Sequence, residues 1–325
     1  MYRILILLCF LSAPGAAEKV LVIESYHAGF GWDIGYRAGL ESMLKPQHEI
    51  VFFEMDTKRR PAREHQQRAE LAYQFYLEQK PDLVVLGDDN ALSYMLPKLH
   101  LEPVPIVFLG INSNPRHLLA QYPSKAGVTG VLERPFYSKT MAGIGESLDS
   151  VNTSPKVLVM FDSSNTSKIA VRTIIEQASL IKRNLNIDTY IQTYSTQHGW
   201  YQAVETAKDN DYTAIVIGLY QALIDSNGQN AQEVDVLKWT NENSPVPIFG
   251  FWDFSIGNGR AAGGVVLYGF SQGKQAGGLV NQVFNNGKDA SQVPIEVGDA
   301  GMEIYSKTEF ERWGLKPPSG WLLVE

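Results

Sequence analysis

The chain has 325 residues, of which 44% are hydrophobic and 19% charged, a composition typical of a globular protein with ample apolar material for a core. The length favours two domains or lobes. Lys and Arg number 28 against 35 Asp and Glu, a net charge of −7, and no basic block stands out. This charge distribution argues against nucleic acid as a partner.

The first residues have the pattern of an export signal. Arg3 supplies a positive charge, residues 4–11 form an apolar run, and residues 12–17 offer small side chains for cleavage. The run is too short to span a bilayer, so we predict a signal peptide over residues 1–17 and a periplasmic protein that begins near Glu18. The alternative is a buried first strand. Cys9, the single cysteine, lies in this run, so the exported chain would have neither a disulfide nor a cysteine metal site.

Apolar runs with the length of strands alternate with helical patterns along the rest of the chain. In the first half, strands are predicted at 19–23, 50–53, 83–86, 105–109 and 128–132, and helices at 33–45 and 61–80. In the second half, strands are predicted at 155–161, 188–193, 214–217 and 246–250, and helices at 167–185, 200–209 and 234–243. Short apolar strands separated by helices indicate parallel sheets that are covered on both faces. Two such series predict an α/β fold with two doubly wound parallel-sheet lobes joined by a hinge.

The boundaries of the two lobes follow from where the chain is expected to cross between them. Crossings are predicted near 133–138, 253–259 and 286–294, stretches that include glycines suited to a hinge. The predicted lobe 1 comprises residues 18–134 and 258–288. The predicted lobe 2 comprises residues 135–257 and 289–325.

Polar and aromatic residues follow the ends of several predicted strands. In open parallel sheets, ligands bind beyond the carboxyl ends of the strands, so these residues are candidates for a ligand site. The candidates from lobe 1 are Ser25, Tyr26, Asp88, Asp89, Asn90 and Asn112, and those from lobe 2 are Asp162, Ser164, Asn165, Tyr220, Trp252 and Asp253. Helix capping is the alternative for 88–90, before a helical stretch that starts at Ala91, and for 162–165. Asn112 is also compatible with a simple turn.

Motifs for cofactors and catalysis are weak or missing. The segment "GFGWDIG" follows the first predicted strand, as a dinucleotide fingerprint does, but its glycine spacing is one residue too long. Trp32 and Asp33 would also meet the pyrophosphate. The sequence has no G-x-S-x-G motif, and none of its six histidines is paired at metal-ligand spacing. We therefore predict no cofactor, no metal, no catalytic residue and no enzymatic activity.

Several local runs, in this order, resemble the substrate-binding proteins of ABC transporters that have the type I periplasmic binding fold, and in particular the group of tryptophan-binding lipoproteins. The runs are "PDLVVLGDDNAL", "VPIVFLGINSNP", "GVTGVLERPFYSKTM", "PKVLVMFDSSNTS", "VPIFGFWDFSIGNGRAAGGVVLYGFSQGKQAG" and "YSKTEFERWGLKPP". The resemblance spans most of the exported chain. It implies a ligand held between the lobes by residues that follow the strands.

The resemblance also shapes the expected function. Relatives often have a neutral Gly-Thr or Gly-Ser pair where this chain has Gly87 followed by Asp88 and Asp89, which favours a ligand with an ammonium group. We predict a monomeric binding protein that captures an amino acid or related amine with an aromatic body and delivers it to an ABC permease. The alternatives are a sensory subunit that presents its ligand-bound form to a receptor kinase, and an exported hydrolase that uses paired carboxylates.

Overall fold

The computed structural model describes residues 17–45, 47–148, 154–298 and 301–324. Apart from Ala17, the predicted signal peptide lies outside the described residues. None of the helices within these ranges is long and apolar enough to cross a membrane.

The first half of the chain alternates strands and helices. Its elements are β1 (Glu18–Glu24), α1 (Gly31–Leu44), β2 (His48–Glu54), α2 (Ala62–Gln79), β3 (Leu83–Gly87), α3 (Asp88–Leu99), β4 (Ile106–Ile111), α4 (Arg116–Gln121) and β5 (Val128–Leu132). Pro61 lies immediately before α2, where its fixed backbone angle suits the start of a helix.

The second half repeats the alternation and then adds a C-terminal group of elements. The repeat contains α5 (Tyr137–Ser147), β6 (Lys156–Asp162), α6 (Asn165–Leu185), β7 (Asp188–Tyr194), α7 (Gln197–Glu205), β8 (Ala214–Ile217), α8 (Glu233–Asn243), β9 (Ile248–Gly250) and β10 (Gly263–Val266). The C-terminal group contains α9 (Gly269–Asn285), β11 (Glu296–Val297), β12 (Met302–Ser306), α10 (Lys307–Trp313) and β13 (Leu322–Val324), and two short 3-10 segments lie at Asp253–Ser255 and Ala290–Gln292.

Two sheets form the centres of two lobes. The sheet of lobe 1 has the order β11-β5-β4-β3-β1-β2 and is parallel throughout. The sheet of lobe 2 has the order β13-β12-β10-β9-β8-β6-β7, with one antiparallel pair, β10 with β12. The apolar residues of β3 and β4 are fully buried because helices cover both faces, which explains their continuous apolar runs. The predicted fold class is confirmed.

Helices α1 and α9 pack closely against each other in lobe 1, and glycines make the approach possible. A side chain at Gly39 would collide with the backbone of Phe270, and one at Gly273 would collide with the backbone of Tyr36. This contact positions the start of α1, which carries several residues of the candidate site.

Two strands lie in the opposite sheet from the one predicted. β10 was expected in lobe 1, but it pairs with β9 and β12 of lobe 2. β11 was expected in lobe 2, but its Glu296 pairs with Val131 of β5 in lobe 1. The chain therefore crosses between the sheets after β5, after β10 and between β11 and β12, and the 3-10 segment at Asp253–Ser255 does not coincide with a crossing. Both strands are short, so their hydrophobic patterns carried little information about which sheet they join.

Candidate ligand-binding site

The two lobes face each other across a cleft that is lined by residues from both. A cavity of about 440 Å³ is bounded by Phe30 of lobe 1 and by Tyr220, Glu233 and Phe254 of lobe 2. A wider groove of about 1070 Å³ lies beside it, between the loop before α2 and the segment before α8. Cavities of this size suit small ligands.

Aromatic rings form a continuous row across the cleft. The rings of Tyr26 and Phe30 meet edge to face with centroids 5.4 Å apart, and Phe30 contacts Phe254 of the other lobe at 5.8 Å. Phe254 in turn stacks on Trp252 at 6.5 Å. Tyr26 and Trp252, two of the candidates from the sequence, therefore belong to one wall together with Phe30 and Phe254. A flat apolar ligand body would find partners along it.

Ser25 has a structural role at the end of β1. Its hydroxyl donates to the carbonyl of Gly87 at 2.6 Å and accepts from the backbone N–H of Ala91 at 2.8 Å. It thus satisfies an N–H of the first turn of α3, a task that the capping interpretation assigned to 88–90. That interpretation is wrong, because α3 begins at Asp88 and no side chain caps it from the preceding residue.

Asp88 is the candidate whose carboxylate is least satisfied within the protein. The residue is 4% exposed, and its Oδ2 atom is buried with no hydrogen-bond partner among the described residues. Burial raises the pKa of the Asp88 carboxyl well above its usual value, with further increases from Asp33 and Glu133 and an opposing effect from Lys58. A buried carboxyl group of this kind requires a partner, and a ligand cation supplies one.

Asp89 and its neighbours hold the loops of the site together. The two oxygens of Asp89 accept the backbone N–H groups of Asn112 and Ser113, each at 3.0 Å. Asn90 donates to the hydroxyl of Thr57 at 2.9 Å. The Asn112 side chain donates to Glu133 at 3.1 Å, while its own Oδ1 has no partner among the described residues. Of the two adjacent aspartates, therefore, Asp89 fixes the loop after β4 and Asp88 remains available.

Asp33 and Trp32 are functional candidates that the sequence prediction missed. Asp33 is fully buried in α1, and neither of its oxygens accepts a hydrogen bond of normal geometry from the described residues. Burial and the charge of Glu24 raise the pKa of Asp33 well above its usual value, whereas Lys58, Arg37 and the nearby Tyr36 hydroxyl act in the opposite direction. The indole N–H of the buried Trp32 is also unpartnered within the described ranges. Both residues belong to "GFGWDIG", the segment whose glycine spacing does not fit a dinucleotide site.

The candidates after β6 are engaged within lobe 2. Asp162 accepts the Ser167 hydroxyl at 2.6 Å, the backbone N–H of Ser164 at 3.0 Å and that of Ala222 at 3.0 Å. Ser164 caps α6 by accepting from the Ser167 N–H at 3.2 Å, which confirms the capping interpretation for this residue. Asn165, the first residue of α6, is exposed.

The candidates after β8 and β9 lie at the cleft. Tyr220 is 3% exposed and lines the cavity, and burial raises the pKa of its hydroxyl. Asp253 accepts the backbone N–H of Phe254 at 2.9 Å, and burial raises the pKa of its carboxyl to about 6. The Trp252 indole donates across to Glu133, which follows β5 of lobe 1, at 2.8 Å. The sequence predicted only that Glu133 lies where the chain crosses between the lobes.

Lys58 is a further residue that the sequence did not indicate. It precedes Arg59 and Arg60 in the loop before α2, a run that resembles an ordinary solvated surface. Its ammonium instead lies over the rings of Phe30 and Tyr26, 3.6 and 4.3 Å from their centroids. No group of three or more His, Cys, Asp or Glu within the described ranges is arranged to hold a metal ion.

Comparisons with known proteins define the class of fold. No family model matches the chain, and no curated protein sequence matches it. The ABC domain in complex with L-Trp from Streptococcus pneumoniae is 16% identical, with 95% of this chain and 100% of that chain covered and a TM-score of 0.65. The ligand-free, open structure of a substrate binding protein with adhesive properties from Clostridium difficile is 15% identical, with 95% and 99% covered and a TM-score of 0.63. A periplasmic ribose ABC transporter structure from Conexibacter woesei is 14% identical, with 91% and 95% covered and a TM-score of 0.55.

These similarities establish the type I periplasmic binding fold, which solved substrate-binding proteins of ABC transporters share. The resemblance in fold that the sequence motifs indicated is thereby confirmed.

Proposed function

We propose that this protein is an exported substrate-binding protein that captures a small organic amine with an aromatic body between its lobes and delivers it to an ABC permease. The observation that carries the proposal is the Asp88 carboxyl group, which is buried directly after β3 and interacts electrostatically with Lys58 of the groove. One of its oxygens is unpartnered among the described residues. The L-Trp complex of the Streptococcus pneumoniae protein gives independent support for a ligand of this shape.

The two parts of the ligand have separate partners in this proposal. Asp88 receives the ammonium group, because a charge-assisted hydrogen bond satisfies a buried carboxylate. The aromatic body lies against Phe30, Phe254 and Tyr220 in the cavity of about 440 Å³. Because Phe30 and Phe254 belong to different lobes, a ligand that contacts both in the cavity favours the closed arrangement of the lobes.

The closed form is what a membrane partner recognises. A receptor kinase would recognise the same ligand-bound, closed form. Transport and sensing therefore differ in the membrane partner and not in the ligand site. Export is tested separately by sequencing the N-terminus of the protein from its native host, where we expect a start near Glu18.

Native mass spectrometry of the purified protein tests the ligand class, because a ligand that is carried through purification is weighed directly. Calorimetry with three probes then separates the contributions of the charged groups: L-tryptophan has both, tryptamine has only the ammonium, and indole-3-acetate has only the carboxylate. We expect tryptamine to bind and indole-3-acetate to fail. Binding of indole-3-acetate with exclusion of both amines would overturn the proposal.

A further inference from the structure

The ammonium group of Lys58 occupies a cage in the cleft. The faces of Tyr26 and Phe30, with ring planes inclined by 80°, lie 4.3 and 3.6 Å from Lys58 Nζ. Both rings are at least nine-tenths buried, and Lys58 forms no direct ion pair within the described ranges. Two aromatic faces around a cation form the arrangement by which proteins recognise organic ammonium ions.

Acidic groups from both lobes surround this cage. Burial lowers the pKa of Lys58, and the charges of four acidic groups, Asp88, Glu233, Asp33 and Asp162, oppose this decrease. Asp162 has its own hydrogen bonds, whereas Asp33 and Asp88 carry unpartnered oxygens in the described structure. The acidic groups therefore offset part of the cost of burying a cation, and the Lys58 ammonium occupies the cage in this structure.

We infer that the Tyr26–Phe30 cage is the ammonium subsite of the ligand and that Lys58 is its internal occupant, which an incoming organic ammonium ion displaces. This inference rests on the proposed function and adds to it the position of the ligand's charged group and the residue that competes for it. The ligand class is a primary or N-methylated amine.

The acidic groups near Lys58 disfavour the opposite role, in which Lys58 would bind a ligand carboxylate. A carboxylate placed against Lys58 Nζ would be repelled by Asp33, Asp88 and Glu233 whenever these groups are ionised, since like charges in a buried site repel strongly. An ammonium ion in the same place would be attracted by these acidic groups once Lys58 has left, although Arg59 and Arg60 line the adjoining groove.

Lys58 has a route out of the cage. It lies in the loop between β2 and α2, and it lines the groove of about 1070 Å³ next to the cavity. Its flexible side chain can rotate into this groove without movement of the backbone. Its backbone carbonyl accepts a hydrogen bond from Asn230 of lobe 2 at 3.4 Å, so the loop itself stays attached to the opposite lobe.

The experiment compares the binding of tryptamine to the full chain and to three variants by calorimetry. Lys58→Met removes the competing cation, Lys58→Arg keeps one, and Lys168→Met is a matched control on the exposed face of α6. We expect Lys58→Met to bind tryptamine about tenfold more tightly than the original protein, a gain of about 1.4 kcal/mol. Lys168→Met should stay within about twofold of the original protein, and Lys58→Arg should gain less affinity than Lys58→Met because it keeps a competing cation.

A second measurement distinguishes displacement from a general structural effect. Without ligand, Lys58→Met should melt below the original protein because the carboxylates lose their cation, and tryptamine should raise its melting temperature by more than that of the original protein. Equal or weaker binding of tryptamine by Lys58→Met, with tryptamine bound by the original protein, overturns the inference and leaves the proposed function intact. If neither protein binds tryptamine or L-tryptophan, both proposals fail.

Discussion

The indole Nε1 of Trp252 donates a hydrogen bond of 2.8 Å to Oε1 of Glu133. Glu133 follows β5 of lobe 1, at a crossing between the sheets, and Trp252 follows β9 of lobe 2. The bond thus joins the lobes beside the aromatic wall, and both residues are almost fully buried. Because this hydrogen bond joins the two lobes, the protonation of Glu133 is coupled to the relative position of the lobes.

Glu133 makes the stability of the protein depend on pH. Burial raises the pKa of its carboxyl to about 8, although hydrogen bonds from Trp252 and Asn112 act in the opposite direction. Because the folded state holds this proton up to a higher pH than the unfolded state, stability is greatest below the unfolded pKa and is lost as the pH rises toward 8. We expect Glu133→Gln to reduce the fall in melting temperature between about pH 5 and pH 8 by several degrees.

Thermal melts of both proteins across that pH range check this expectation. The pKa values of Asp33 and Asp88 are raised as well, so these two groups still make the stability of Glu133→Gln depend on pH. We therefore expect its melting temperature to fall less steeply with pH than that of the original protein, but not to be constant. Glu296→Gln is a suitable control, since Glu296 lies at the edge of the sheet in lobe 1. Identical slopes for Glu133→Gln and the original protein would contradict the assignment.

Asp88 and Asp89 should respond in opposite ways to the same substitution. Asp88→Asn removes a buried ionisable group, and asparagine tolerates the left-handed backbone at this position (φ 68°), so the melting temperature should be kept or raised. The affinity for tryptamine should fall roughly thirtyfold or more, since the loss of one partner of a buried charge pair typically costs about 2–5 kcal/mol.

Asp89→Asn replaces one of the two oxygens that accept backbone N–H groups with an amide nitrogen. We expect a loss of about 1–3 kcal/mol in the free energy of unfolding, with a smaller direct effect on ligand affinity. Melting curves and calorimetry of the two variants together provide the comparison. The assignment of roles fails if Asp89→Asn loses binding while Asp88→Asn keeps it.

The sequence predicted the architecture well because the strands that define it are apolar on both faces. The central strands β3 and β4 are buried throughout, and such runs between helices indicate a parallel sheet without further information. The short strands β10 and β11 were assigned to the wrong lobes, because two to four residues do not specify a pairing partner.

The candidate site was less predictable because strand ends place many polar groups near a cleft, but the sequence does not show which are already paired. Ser25, Asp89 and Asp162 satisfy neighbouring polar groups, whereas Asp88 does not. Lys58 and Asp33 reach the site through the folding of a loop and the burial of a helix face, which a local pattern cannot indicate.

Gly110 provides the space that Asp88 needs. Its backbone lies in the left-handed region (φ 69°), and a β-carbon there would be 3.1 Å from Asp88 Oδ1 and 3.4 Å from Trp32 Nε1. Gly110→Ala should therefore lower the free energy of unfolding by about 1–2 kcal/mol from backbone strain and also weaken tryptamine binding by crowding the carboxylate.

Gly287→Ala is the matched control for this substitution. Gly287 has nearly the same backbone angle (φ 71°), and a β-carbon there would meet open space. Both variants should lose stability, as chemical denaturation will measure, but only Gly110→Ala should lose affinity. Equal affinities in the two variants would remove Gly110 from the site.

Phe254 is the residue of lobe 2 that contacts the aromatic wall of lobe 1. Its ring lies 5.8 Å from that of Phe30, and both residues line the cavity of about 440 Å³. Phe254→Ala should weaken the binding of tryptamine by roughly thirtyfold, because the loss of a buried aromatic contact costs about 2 kcal/mol or more. The same substitution should change the binding of ethylamine, which has no ring, by much less.

Calorimetry with both amines measures the difference. Phe75→Ala in lobe 1, where the ring packs on Phe53, is a control outside the cleft. An equal loss for tryptamine and ethylamine would mean that Phe254 acts on lobe closure in general, and the aromatic body of the ligand would then lie elsewhere in the cleft.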